Sequence, residues 1–546
     1  MGDINLKNFC DFCKNNIPLL VVTALALFFC YGIKLFQYSI GIDTEIIMAN
    51  KSGALEWYIK IGRFGFSLLA WLLHIKEFNP FTTFFSIFCL IWLFTISHAY
   101  IISLFCKNTG KNNALIPFVL VFASSPVWTE QFYFLGQAKE VALMVLLCPY
   151  AIYIMFKGFI DNKKGKIIFA FLSLIFMTSV YQAIVPFFCC GVFICFMLFL
   201  ETSDYEAKIY RDLCLKIFAT LVCAMVVYTI IDRILIPYIL DIDKSQYFDD
   251  WNKWGHTSIK ENILRILLFA YTLTIGGIPQ IQDIVNPIIA LNAGMENAKR
   301  VVDMSKAFGN ILLLPLALLF IIKSIDIARK KFTSDKKILY IIASIGIPLS
   351  IMFLAILGGN KPPIRAIYVL PLAFAFMFFF LIKNYSNKYR IAIVCFTLFT
   401  AVYQAQITAQ LLYSDQLRYN EDVRLAYEIR DMIVKTSLDN ENLPVAIIGR
   451  SKTSEKFHTN FIQGEVIGYS FFEFGWNRGE VPGRALGFMR YLGIHFNSPN
   501  GEQIERAIHE AVYMPSYPDS GFVKKLPDVI VVKLSSDFNH DLQNNK

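Results

Sequence analysis

The chain has 546 residues, of which 56% are hydrophobic, 15% aromatic and only 17% charged. Soluble domains carry about 25% charged residues, so this composition excludes an ordinary soluble protein and indicates that lipid surrounds most of the chain. The formal net charge of +9 does not favour nucleic acid as a partner, because the lysines and arginines cluster in short loops between apolar segments, where they set membrane orientation.

Apolar segments long enough to cross a hydrocarbon core of about 30 Å recur along the sequence. Together with the basic loops, they predict an all-α polytopic membrane protein with about 11 transmembrane helices. The predicted crossings are, in order, 17–38, 80–105, 113–126, 138–158, 166–180, 183–200, 215–239, 308–324, 337–358, 366–383 and 389–409. The positive-inside rule places the N-terminus in the cytoplasm, and the odd number of crossings then places everything after Leu412 outside.

The first outer segment contains two carboxylates, Asp43 and Glu45, in the stretch GIDTE. At the outer boundary of the membrane, one such acid can take a proton from an acceptor hydroxyl while the other binds the acceptor or shifts its partner's pKa. The pair therefore indicates sugar transfer, and the alternative is a solvated acidic loop. The sequence indicates no definite cofactor; if a divalent cation such as Mg²⁺ or Mn²⁺ takes part, these two acids would hold it.

Trp57 and Arg63 follow on the same outer segment, with Arg63 inside the stretch GRFG. Sugar rings stack on aromatic side chains, and arginine neutralises a leaving phosphate. We therefore predict that Trp57 contacts the sugar and that Arg63 binds the phosphate of the donor.

A second polar group lies on the short outer turn between the third and fourth predicted crossings. Its candidate sugar or acceptor ligands are Glu130, Gln131 and Lys139, and the turn also carries Trp128, Tyr133, Gln137 and Glu140. Charged groups at membrane depth are costly unless they line a cavity, so the turn indicates either a polar pocket or a helix start whose charges reach the interface.

The next outer turn contains Tyr181 and Gln182. These two side chains would add hydrogen bonds to the same cavity, and the alternative is an ordinary polar turn between two short crossings.

The order of these motifs resembles the serotype-converting O-antigen glucosyltransferase (Gtr-type) family, whose members are membrane glycosyltransferases of the GT-C architecture. The resemblance rests on IDTE after the first crossing, the tryptophan at position 57, GRFG, and the outer VYQ that ends at Gln182. It covers most of the chain in topology, while similarity of motifs is confined to these short stretches.

The resemblance implies inverting transfer of a hexosyl group, expected to be glucosyl, from an undecaprenyl-phosphate-linked donor to a lipid-linked or surface glycan such as O-antigen. The implied location is the outer face of a bacterial inner membrane. In such enzymes the first-loop acid is the expected general base, which here is Asp43 with Glu45 as the rival. The family more often has two adjacent acids where this chain has Asp-Thr-Glu, which leaves open which acid is the base.

Two cations, Lys361 and Arg365, lie in the outer stretch GNKPPIR. Its prolines would hold both cations rigidly beside a helix start, where the phosphate of a polyprenyl donor could bind. Basic residues are under-represented outside the membrane, which favours phosphate binding over the alternative of flanking residues at an ordinary helix start.

After Tyr413 the sequence changes to ordinary polar and apolar alternation. Helical spacing from Glu421 to Val434 and the β-branched runs Val445–Ile448 and Val529–Val532 predict a small external α/β domain. The predicted domains are therefore a GT-C-like transmembrane catalytic domain at 1–410 and an external domain at 411–546.

Two other functions fit a chain with many crossings. A transporter or flippase for lipid-linked sugars would also place polar residues at depth, but transporters commonly carry internal repeats, and the sequence has none that we detect. A non-catalytic envelope assembly protein would use the external domain as a binding module and would tolerate replacement of Asp43. Nucleotide hydrolysis and zinc proteolysis are unsupported, because the sequence lacks a P-loop and an HExxH motif.

Overall fold

The computed structural model describes residues 4–49, 51–72, 79–107, 113–246, 251–274, 306–436, 442–457, 461–475 and 480–536. The chain divides into two compact units. The first comprises Met1–Phe36 and Leu55–Ala409, and the second comprises Gln37–Ala54 and Gln410–Lys546. The sequence predicted one boundary, at residue 410; in the structure the segment Gln37–Ala54 also groups with the C-terminal part.

Helices make up most of the described chain. In chain order they are α1 Leu6–Asn15, α2 Ile17–Tyr31, α3 Ile33–Phe36, α4 Thr44–Ala49, α5 Lys51–Lys60, α6 Phe64–Leu72, α7 Pro80–Phe105, α8 Leu115–Ser124, α9 Val127–Tyr133, α10 Ala138–Ile160, α11 Lys164–Val180, α12 Ile184–Thr202, α13 Ala207–Ile230, α14 Ile236–Leu240, α15 Ile259–Thr274, α16 Leu313–Lys331, α17 Ser334–Leu349, α18 Phe353–Gly358, α19 Val369–Asn384, α20 Asn387–Thr436, α21 Glu480–Tyr491 and α22 Gly501–Ala511. A π-helical turn, Ile231–Leu235, joins α13 to α14, and 3₁₀ turns occur at Ser350–Met352, Ile364–Ala366 and Thr453–Glu455.

The long apolar helices identify a membrane protein. Among the described residues, seven helices are long and apolar enough to cross a bilayer: Pro80–Phe105, Ala138–Ile160, Ile184–Thr202, Ala207–Leu240, Lys306–Lys331, Ser334–Gly358 and Asn387–Lys435. The pair α1 and α2, bent by 83°, would make an eighth. The predicted crossings at 113–126 and 366–383 correspond to the shorter apolar helices α8 and α19. The count of about 11 transmembrane helices stays a prediction.

Two helices of the first unit differ in the fraction of their residues that is buried. Every residue of α19 from Val369 to Ile382 is buried, as expected for a helix that is apolar on all sides and packs at the centre of a bundle. In contrast, only 11% of the apolar window of Ala207–Leu240 is buried within the protein. This helix presents most of its apolar surface outward, as a lipid-facing helix does.

The second unit contains a three-stranded sheet formed by β1 Val445–Ile448, β2 Val523–Lys525 and β3 Ile530–Lys533. The strand order is β1-β3-β2, with β1 parallel and β2 antiparallel to β3. One face of the sheet packs against α22. The core between them consists of Ala446, Ile448, Ala507, Ala511, Met514, Val529 and Val531. The small C-terminal α/β sheet predicted from the β-branched runs is confirmed.

A buried arginine attaches the segment Gln37–Ala54 to the rest of the second unit. Arg418 is fully buried on α20, where it forms ion pairs with Asp415 and Asp422. Its guanidinium also donates to the carbonyl of Ile40 at 2.9 Å, and the Ser39 hydroxyl donates to Asp415 at 2.5 Å. Because a buried charge is costly unless it is paired, these contacts fix the backbone that leads into the acidic stretch.

Candidate active site

The two predicted catalytic acids lie at the start of α4 in the second unit. Asp43 has φ = 73°, a left-handed conformation that asparagine and aspartate adopt more readily than most residues. The turn is closed by a hydrogen bond from the Thr44 amide to the Gly41 carbonyl at 3.1 Å. Glu45 follows within the first turn of the helix.

Arg484 on α21 binds both acids. Its Nη1 contacts Oε1 of Glu45 at 2.7 Å, and its Nη2 contacts Oδ1 of Asp43 at 2.9 Å. The same Nη2 lies 3.5 Å from Glu480, one turn earlier on α21. The two helices pack closely here, because a Cβ on Gly487 would lie 3.2 Å from Cγ of Glu45.

The two acids differ in exposure and electrostatics. The side chain of Asp43 is 36% exposed, whereas that of Glu45 is 0% exposed. Burial raises the pKa of Glu45 to about 7, although the attraction of Arg484 opposes this shift; the nearby charge of Asp43 adds to it. Oε2 of Glu45 is buried and has no hydrogen-bond partner among the described residues. Asp43 is therefore the more accessible of the two acids.

The donor set around these acids does not fit a divalent cation. The guanidinium of Arg484 lies where a cation would have to bind, within 2.9 Å of both carboxylates. No group of three His, Cys, Asp or Glu side chains suited to a metal ion occurs within the described part of the chain. Magnesium and manganese usually need several oxygen ligands, so Asp43 and Glu45 together with Arg484 do not form such a site.

A second polar cluster, in the first unit, is centred on Arg63. This residue follows Gly62, whose φ of 77° ends α5 and redirects the chain into α6. The guanidinium donates to the side-chain oxygens of Gln137 at 2.9 Å and Gln182 at 3.3 Å. It also lies over the ring of Tyr181, 4.4 Å from the centroid. The structure thus brings the GRFG motif and two predicted outer turns together.

Three residues beside Arg63 were not predicted from the sequence. Tyr228 donates to the Gly62 carbonyl at 2.9 Å and accepts from Gln182 at 3.1 Å. Asp232, in the π-helical turn, pairs with Lys244 at 2.6 Å. A charged residue within an otherwise apolar crossing is the signal that could have identified Asp232.

Aromatic rings connect Arg63 to the segment between α8 and α10, which carries Trp128. The ring of Tyr181 lies 6.0 Å from that of Tyr368, which lies 6.0 Å from Trp128 on α9. Arg365 lies over the ring of Phe134, 4.7 Å from the centroid. The Gln137 amide in turn donates to the Phe134 carbonyl at 3.0 Å, so the segment 134–137 carries the partners of both arginines.

The remaining predicted ligands are also in the first unit. Glu130 and Gln131 are fully buried on α9, and neither side-chain atom of Gln131 has a hydrogen-bond partner among the described residues. Lys139 is half-buried in the first turn of α10, and Trp57 is 47% exposed on α5. Lys361 is also half-buried, and its backbone amide donates a hydrogen bond to the side-chain oxygen of Asn360 at 2.9 Å.

The family model described as Glucosyl transferase GtrII matches residues 32–382. The match contains the acids at 43 and 45 and every predicted ligand in the first unit, but it ends before α21. No curated protein matches the chain.

Proposed function

Because the chain belongs to the Glucosyl transferase GtrII family, and is therefore a glucosyltransferase, we propose that its donor is a polyprenyl-phosphate-linked glucose. The proposed acceptor is a lipid-linked or surface glycan such as O-antigen. The proposed location is the outer face of a bacterial inner membrane, with the N-terminus in the cytoplasm and the C-terminal unit outside. The proposed architecture is that of the GT-C enzymes.

The geometry of the Arg63 cluster is the observation that supports a phosphate-linked donor. Both hydrogen-bond partners of Arg63 are neutral amides, and Arg365 lies against an aromatic ring. Neither amide cancels the positive charge of the Arg63 guanidinium, so this side chain is held in place and keeps the charge that binds an anion. Arg365 is proposed as a second phosphate ligand. A phosphate on a lipid is the anion that such a position in a membrane-embedded unit fits best. Lys361 is proposed as a third phosphate ligand.

The residues that we propose to bind the sugar also lie in the first unit. Tyr181 and Gln182 contact Arg63 directly, and Gln131 carries a buried amide that needs hydrogen-bond partners. Sugar hydroxyls supply both donors and acceptors, which matches the needs of an amide. Glu130, Lys139 and Trp57 complete the proposed set of sugar and acceptor ligands.

Asp43 is proposed as the general base of an inverting single displacement. It takes the proton of an acceptor hydroxyl as that oxygen forms a bond with the anomeric carbon of glucose. The bond between this carbon and the phosphate oxygen breaks, and the polyprenyl phosphate leaves with the electron pair. The arginines and Lys361 neutralise the charge that develops on the leaving phosphate.

We expect Asp43→Asn to lower the rate of glucose transfer by about 100-fold to 10,000-fold, the range over which general base catalysis contributes. The measurement uses purified protein, labelled polyprenyl-phosphate glucose and a glycan acceptor. Glu45→Gln, which removes one negative charge at the same turn, is the comparison that distinguishes the two acids. A rate for Asp43→Asn equal to that of wild type, with Glu45→Gln inactive, would contradict the assignment and make Glu45 the base.

A further inference from the structure

Arg484 lies outside the segment that matches the family, yet its side chain is the one that joins the two acids. The guanidinium is 5% exposed and reaches Glu45 with one terminal nitrogen and Asp43 with the other. The arginine side chain suits this arrangement, because its rigid planar fork presents several donors to two carboxylates at once.

We propose that Arg484 is a positioning residue for the transfer reaction, holding the carboxylate of Asp43 in one orientation and using the buried Glu45 as its anchor. This inference rests on the proposed role of Asp43 as the base.

The backbone around Asp43 needs such a support. Asp43 has a positive φ, which costs free energy for a residue that carries a side chain. The helix that follows it, Thr44–Ala49, has only six residues. Isolated helices of this length are unstable in water, so α4 depends on its packing against α21. Arg484 therefore stabilises a conformation that the local sequence would not hold alone.

The charges at the site explain why Glu45 is an anchor. Three carboxylates face the guanidinium: Asp43 and Glu45 from the first outer segment and Glu480 from α21. Glu45 is fully buried and could not stay ionised without a cation close by. If Arg484 were removed, Glu45 would become neutral and the contact that fixes Asp43 would be lost with it.

The test compares Arg484→Gln and Arg484→Lys with Arg506→Gln, the matched control. Arg506 lies on α22 in the same unit, is 49% exposed and pairs with Asp528 away from the acids. We expect Arg484→Gln to lower kcat about 100-fold, as expected for a misplaced catalytic group, with the KM for the lipid donor unchanged within about twofold. Arg484→Lys should recover part of kcat, because an ammonium keeps the charge but cannot bridge two carboxylates in the same way.

Two further readouts separate positioning from a general loss of structure. In the double variant Asp43→Asn/Arg484→Gln, the rate should equal that of Asp43→Asn alone, because Arg484 acts through Asp43. Hydrogen exchange of the peptide 37–54 should be faster in Arg484→Gln and unchanged in Arg506→Gln.

Additive losses in the double variant, or unchanged hydrogen exchange in Arg484→Gln, would overturn the inference. Failure of the proposed function gives a different pattern: Asp43→Asn would retain wild-type transfer, while the exchange of peptide 37–54 would still respond to Arg484→Gln.

Discussion

Asp43 and Glu45 lie two residues apart, and their side chains have different surroundings. A group that takes a proton from a substrate must be reachable, and Asp43 is partly exposed while Glu45 is fully buried. Burial also raises the pKa of Glu45 to about 7, but this carboxyl is shielded from substrate and is paired with Arg484. The Asp-Thr-Glu spacing leaves the choice of base open, and burial favours Asp43.

Arg63 gives a prediction about donor binding. Arg63→Gln should raise the KM for the polyprenyl-phosphate donor, lowering kcat/KM by about 10-fold to 100-fold, since a hydrogen bond to a charged group is worth about 1.5–3 kcal/mol. Steady-state kinetics with varied donor concentration measure this effect. Arg233→Gln is the control, because Arg233 is 42% exposed and contacts Asp232 only at 3.7 Å. Equal losses in both variants would show that the effect is not specific to the cluster around Arg63.

The break between α5 and α6 sets the position of Arg63. Trp57 to His74 reads in sequence as one amphipathic segment, but the described part forms two helices separated at Gly62. The left-handed φ of this glycine and its closeness to Tyr228, Gln182 and Asp232 explain the break. Glycine tolerates this conformation because it has no Cβ.

Gly62→Ala should therefore destabilise the first unit and disturb the Arg63 cluster. An added Cβ would lie 2.7 Å from the hydroxyl of Tyr228, and the left-handed backbone costs about 1–2 kcal/mol for a residue with a side chain. We expect a lower unfolding temperature in detergent and weaker transfer activity.

Gly165→Ala on α11 is the control for that substitution, because a Cβ there meets nothing within 4 Å. Helical alanine is favoured over glycine by about 0.5–1 kcal/mol, so the unfolding temperature of this variant should be unchanged or slightly higher. Equal destabilisation by both substitutions would contradict the strained-turn explanation.

The sequence predicted the positions of helices and strands better than it predicted where the last long helix ends. The apolar runs located the membrane helices, and the β-branched runs located β1 and β3, because these signals are local. The last predicted crossing ends at 409 and a separate helical pattern begins at Glu421, whereas the structure forms one helix, Asn387–Thr436. No proline or glycine interrupts this stretch, so nothing in its backbone ends the helix at the membrane boundary.

At the scale of the whole molecule, contacts between residues far apart in the chain could not be predicted from the sequence. The partners of Arg63 come from two other turns, and Arg484 is separated from Glu45 by 439 positions. Arg484 itself lies in an unremarkable local sequence, and only folding of the chain places it beside the two acids. The sequence thus named Asp43, Arg63 and Gln182 as candidates but gave no signal for Arg484.

The proposed topology leads to a labelling prediction. All 12 cysteines lie at or before Cys395, so the C-terminal part of the second unit has no natural thiol. Glu502 on α22 is 85% exposed, and Glu502→Cys should react with a membrane-impermeant maleimide added to spheroplasts. Cys10, exposed near the N-terminus, should react only after permeabilisation. The reverse pattern would contradict an external C-terminal unit.

The proposed donor, a polyprenyl-phosphate-linked glucose, concerns the whole molecule. An enzyme that takes its sugar from a lipid requires no nucleotide-binding domain. The most direct test gives the purified wild-type protein, in lipid nanodiscs with a glycan acceptor, either labelled polyprenyl-phosphate glucose or labelled UDP-glucose. We predict that label enters the glycan from the lipid donor alone, with one polyprenyl phosphate released per glucose transferred. Transfer from UDP-glucose, with none from the lipid donor, would contradict the account.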